Sequence, residues 1–98
     1  MTEPMQVNEV VTALVARTPG ERVYLADARQ LCAWYARAYG EALTVDGLTA
    51  SVLGRFRQAC LESCKQRTWM RKRSALRWLI RQLEAHGADG RLVWSVRA

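Results

Sequence analysis

Residues 65–87, KQRTWMRKRSALRWLIRQLEAHG, constrain the possible folds of this chain more than any other stretch. At 100° per residue, Trp69, Leu76, Leu79, Ile80 and Leu83 fall on one side of a helix. Arg67, Arg71, Ser74, Trp78 and Arg81 fall on the opposite side, with Lys72, Arg73 and Arg77 on the flanks. Such a helix needs an apolar core on one side and surroundings that tolerate concentrated positive charge on the other. Ser63 to Gln66 match the S-x-x-Q capping box, which predicts a helix start there, and Gly87 predicts its end after His86.

The remaining sequence supplies partners of the same kind. In PMQVNEVVTALVAR, Val7, Val10, Val11 and Leu14 recur at helical spacing, and TPGE reads as the break that follows. In YLADARQLCAWYARAYG, Tyr24, Ala28, Leu31 and Tyr35 share a face edged by Leu25, Cys32 and Tyr39, and Gly40 is a suitable stop. In LTASVLGRFRQACLES, Thr49 is the expected N-cap, with Val52, Leu53, Phe56 and Cys60 facing inward. RLVWSVRA is too short to form a sheet of its own and reads as a loose tail. The expectation is an all-α bundle of about four helices. Residues 1–20 would form an N-terminal extension helix, 21–87 the core helical domain and 88–98 a tail or linker. Half of the 98 residues are hydrophobic, enough for one core.

The charge is one-sided. Residues 1–50 hold four arginines against six acids, whereas residues 51–98 hold eleven basic residues against three acids. From Ser63 to Leu83 there are seven cations and no acid. A helix that needs only solubility interleaves both signs. A stripe of one sign attracts a polyanion, most often nucleic acid, and a membrane surface second. The bland alternative is a solvated face whose arginine stems cover apolar neighbours.

Other chemistries find little support. No run approaches the ~20 apolar residues of a membrane span, and no basic-then-apolar N-terminal signal is present, so a cytoplasmic location is expected. Cys60, Cys64 and His86 could be imagined around zinc, but their spacing is not that of a turn-borne metal site, and three reduced thiols are the simpler reading. His86 has no nucleophile or orienting acid near it, and there is no paired-carboxylate or glycine-rich phosphate motif. The chain is therefore expected not to be an enzyme by itself, to need no cofactor and to act on no small-molecule substrate. Trp78 has three possible settings: a DNA groove, a neighbouring protomer, or cover from the N-terminal helix, whose valines need an apolar partner. Trp34, at the edge of its helix, joins it as a candidate for a protein-facing surface.

Residues 24–87 resemble the core-binding (SAM-like, N-terminal) domain of tyrosine recombinases, the phage integrase family. The shared features are Tyr24 and Trp34, the Leu48–Thr49 step, and the series Thr68, Ser74, Ala75, Leu76, Arg77, Leu79, Leu83 and Gly87. Arg73 stands where that family usually has an apolar residue. After Gly87 the chain continues ADGRLVWSVRA instead of an Asn-Pro-like linker. The family's catalytic Arg, His and Tyr belong to a second domain, and nothing here matches them. The resemblance implies a prokaryotic, nucleoid-associated helical module that grips one side of duplex DNA, alongside other recombinase protomers, while the catalytic domain holds the other side. Carried onto this sequence, the contact residues are Lys65, Gln66, Arg67 and Thr68 at the helix start, and Arg71, Lys72, Arg77 and Arg81 along it. Arg55 joins them from the preceding helix. The alternative expectation is a small helical protein–protein interaction module that binds an acidic partner.

Overall fold

The computed structural model describes residues 5–96; residues 1–4 and 97–98, the ends of the expected extension and tail, lie outside the described residues. Four α-helices follow one another: α1 (Val7–Ala13), α2 (Pro19–Tyr39), α3 (Ala50–Ser63) and α4 (Gln66–Leu83). Two 3₁₀ segments close the chain, Glu84–His86 and Gly90–Ser95. Among the described residues the only β-pairing is a single antiparallel bridge between Gln6 and Thr44. Around it, the N–H of Val7 donates to the Leu43 carbonyl and that of Val45 to the Met5 carbonyl, each at 2.9 Å. The chain is all-α, as its periodicities predict.

α4 is the hub. It packs against α2, α3 and the 3₁₀ segment Gly90–Ser95, so it is buried on three sides. Trp69, Leu79, Ile80 and Leu83 are fully buried there, and Leu76 and Ala75 nearly so. α2 contributes Leu25, Ala28, Leu31 and Tyr35, while α3 contributes Val52, Leu53, Phe56 and Cys60. The valines of α1 join the same core, mainly against α2. Tyr24 and Phe56 thus lie on the faces their spacing predicts, although Tyr24 is only half-buried.

Three expectations about boundaries need correction. TPGE is not a break but the start of α2: Thr18 is the N-cap and accepts from the N–H of Glu21 at 3.1 Å, and Pro19 takes the first helical position. The Glu21 carboxylate in turn accepts from the N–H of Arg17 at 3.0 Å, so the extension and the core domain do not divide at residue 20. The Ser63–Gln66 capping box does not form. α3 runs through Ser63, whose hydroxyl donates back to the Ala59 carbonyl at 3.1 Å, and α4 starts from Lys65 with no side-chain cap. The tail is no loose extension either. Val93 and Val96 are buried against the core, and Asp89 caps the segment by accepting from the N–H of Arg91 at 2.9 Å. The alternation of β-branched and polar residues there serves a short 3₁₀ turn that hides its valines. The sequence-predicted caps at Thr49 and Gly40 are present: Thr49 accepts from the N–H of Val52, and Gly40 is left-handed at φ 72°. Gly87, at φ 95°, lets Ala88 donate to the Leu83 carbonyl and turn the chain back toward the core.

Candidate functional site

α2 and α4 lie side by side and antiparallel. Tyr24 meets Trp78 with ring centroids 5.8 Å apart, and Asp27 and Gln30 meet Arg71 and Lys72. The centre of this seam is a buried charge cluster. Lys72, only 6% exposed, donates from Nζ to Asp27 Oδ1 at 3.2 Å and to Gln30 Oε1. Arg71 donates to the same Asp27 oxygen at 3.3 Å from a side chain that is half exposed. Asp27 Oδ2 is buried and has no hydrogen-bond partner among the described residues. Two buried charges survive here because each has the other and further polar neighbours; either alone would carry a large desolvation penalty.

This geometry divides the sequence-predicted contact residues. Arg67, Arg71, Ser74 and Arg81 share the exposed stripe of α4, and Lys65 and Gln66 are exposed at its start, with Thr68 half-buried. Lys72 is not on an exposed face: α4 is buried on its α2 side, and that side includes Lys72. Arg77 is half-buried and donates to the Val96 carbonyl at 3.2 Å, so it holds the 3₁₀ tail against α4 rather than facing outward. Arg55 is on α3 rather than α4, with its guanidinium 5.8 Å above the Tyr39 ring and 3.3 Å from its hydroxyl. Trp34 is half-buried and packs against Phe56 and Tyr39. Trp78 is half-buried against Tyr24, and the α1–α2 connection passes beside it. A cleft of about 400 Å³ remains there, lined by Leu14, Val15, Arg17, Glu21, Trp78 and Gln82 among others. The valines of α1 itself are buried against α2 and the core, so the cover over Trp78 comes from the connection and Tyr24.

Sequence reasoning missed the contribution of α2. Moving outward from the seam at 100° per residue, its exposed face carries Val23, Ala26, Gln30, Ala33, Arg37 and Arg22. Arg22 lies at the Arg81 end of α4 and Arg37 at the Arg67 end, because the helices are antiparallel. Arg29 turns away toward α1, where it borders Gln6 and Asn8. The combined α2–α4 surface therefore presents Arg22, Arg37, Arg67, Arg71 and Arg81 together with Ala26, Ala33 and Ser74 and the larger exposed Val23, Gln30 and Met70. No acid is exposed between residues 23 and 39 or between 66 and 83: the one carboxylate in those spans is Asp27, which is buried. From Arg67 to Arg81 the stripe is about 21 Å long at 1.5 Å per residue. A signal was present, since Arg22, Ala26, Ala33 and Arg37 recur at helical spacing. It was masked because the net charge of the first half counts the buried Asp27 and acids on other elements.

The thiols are a separate matter. All three cysteines are free. Burial pushes Cys32 up to about 11, against a backbone hydrogen bond that works the other way. Burial also raises Cys60, with the nearby Lys72 charge opposing the rise. Cys60 and Cys64 lie before the start of α4 and His86 beyond its end, a separation of about 27 Å along the helix. Among the described residues no group of three or more His, Cys, Asp or Glu side chains comes together around a metal position. No helix among the described residues is long and apolar enough to cross a membrane.

The fold and its exposed face define a class: a small all-α domain with a one-signed cationic surface across two antiparallel helices. Compared with protein-family models, curated proteins and solved structures, the chain matches none.

Proposed function

We propose that this chain is the duplex-DNA-binding module of a site-specific recombinase of the tyrosine type. It grips one side of the duplex through α2 and α4, and a separate catalytic domain carries out strand exchange. One observation carries the DNA part of this reading: five arginines are exposed on neighbouring faces of α2 and α4, and residues 23–39 and 66–83 expose no acid. Such a surface suits phosphate, because guanidinium forks bond the phosphate oxygens and no nearby carboxylate competes. The roughly 21 Å stripe matches the rise of about six base pairs at ~3.4 Å each. The recombinase part rests on the resemblance of residues 24–87 alone.

The test is a three-way binding comparison by fluorescence anisotropy. A labelled duplex is titrated with the protein, then challenged with unlabelled duplex or with poly-glutamate of equal charge. The proposal expects duplex to compete far better than poly-glutamate. Equal competition, or preference for the acidic polypeptide, would overturn it in favour of a protein-binding module.

A further inference from the structure

α2 and α3 meet chiefly through rings. Trp34 packs edge-on to Phe56 at 5.3 Å and to Tyr39 at 6.0 Å. Beyond those rings the helices leave a wedge of about 320 Å³, running along α3 from Phe56 to Cys64. Its apolar surface comes from Ala33, Trp34, Phe56 and Ala59. Its polar groups are Gln30, Arg37, Ser63 and Lys72, and no acid lines it.

The two cations are held differently. Lys72 is more than nine-tenths buried and fixed by Asp27 and Gln30, which occupy two of its three N–H donors. Its charge is felt inside the wedge, where it works against the burial-driven rise of the Cys60 thiol. Arg37, two helical turns along α2 from Gln30, also lines the wedge; it is exposed and has no ion-pair or hydrogen-bond partner among the described residues. A tetrahedral phosphate has oxygens enough for Arg37 and Lys72 together. Gln30 accepts from Lys72 through its oxygen, which leaves its NH₂ as a donor toward a base edge. Trp34 and Phe56 offer the aromatic surface that bases pack against. The volume lies at the small end of ligand pockets, about 300–1,000 Å³.

We infer that this wedge binds a nucleoside phosphate, with the phosphate between Arg37 and Lys72 and the base against Trp34. The ligand is either a free nucleotide or the phosphorylated terminal nucleotide of a strand, and the wedge opens at the Arg37 end of the cationic face. The wedge shares Arg37 with the duplex surface but requires nothing of Arg22, Arg67 or Arg81, so the two readings can fail separately.

The experiment is a ¹⁵N-edited NMR titration of the whole chain with deoxyadenosine monophosphate, deoxyadenosine and a glutamate-rich peptide. The expected result is saturable shifts at Gln30, Ala33, Arg37, Ala59 and Ser63 with the monophosphate, and binding about tenfold weaker without the phosphate. Ala59→Leu fills the wedge without changing any charge. It should weaken monophosphate binding at least about tenfold while duplex affinity changes less than about twofold, which separates the wedge from the arginine face. Arg37→Ala should weaken monophosphate binding to the level of the nucleoside. A 5′-phosphorylated single strand that binds more tightly than the free nucleotide identifies a strand end as the source; equal binding identifies the free nucleotide. Shifts confined to exposed α4 arginines, undiminished binding by Ala59→Leu, equal binding of nucleoside and nucleotide, or preference for the glutamate-rich peptide would each overturn the inference.

Discussion

Lys72→Met is the substitution that most sharply probes how α2 and α4 are held in register. The methionine fits the same space but removes Nζ, which donates to Asp27 and Gln30. Asp27 then remains buried with Arg71 alone, at 3.3 Å and half exposed to water. Breaking a buried pair by removing one partner costs about 3–5 kcal/mol. Because Arg71 keeps one cation beside the carboxylate, the cost falls to the bottom of that range or just below it, about 2–3 kcal/mol. For a domain of this size that lowers Tm by about 10–20 °C. Urea unfolding followed by circular dichroism reads the loss directly. Asp27→Leu/Lys72→Met removes both charges, and a dry pair of similar volume restores much of the stability. The double-mutant cycle should therefore show a coupling of at least about 1 kcal/mol. A Lys72→Met cost below about 1 kcal/mol, or strict additivity of the two substitutions, would refute the claim that this cluster holds the helices together.

Three further outcomes follow from the packing. Leu76→Ala should cost about 2–5 kcal/mol in the same urea assay, since Leu76 is 2% exposed at the centre of α4. Val96→Ala should cost about 1.5–3 kcal/mol, because the tail buries that side chain; a cost near zero would return residues 90–96 to the status of a loose extension. Cys32, with its folded pKa pushed up from 9.0 to about 11, should resist alkylation at pH 8 and gain reactivity only as pH approaches 11. The unfolded chain loses that proton first, so Cys32 should also make stability fall as pH rises from about 9 to about 11.

The inward sets of α2, α3 and α4 were legible because each is a single periodic face, and the structure buries Leu31, Phe56, Leu76 and Ile80 as the spacing predicts. Thr49 and Gly40 were legible because a cap is a local signal. TPGE carries two signals, a breaker and a T-x-x-E start with proline in the first turn, and the chain realises the second. Lys72 and Arg77 could not be placed from one helix alone. An isolated amphipathic helix has one buried side, but α4 has three neighbours, and which flank meets Asp27 and which meets the Val96 carbonyl depends on elements 45 and 19 residues away. The α2 arginines were hidden for a related reason: charge summed along a chain says nothing about which acids fold inward.

Under the duplex-binding proposal, Arg22, Arg37, Arg67, Arg71 and Arg81 form one phosphate-binding surface, and duplex binding should then depend steeply on salt. Five neutralised phosphates predict a slope of log Kobs against log [salt] of about −4 to −5. Arg67→Ala and Arg81→Ala should each make that slope shallower by about one unit. Arg77→Ala should leave it unchanged, because that side chain is committed to the Val96 carbonyl. A slope shallower than about −1, or a loss from Arg77→Ala equal to that from Arg67→Ala, would contradict the account.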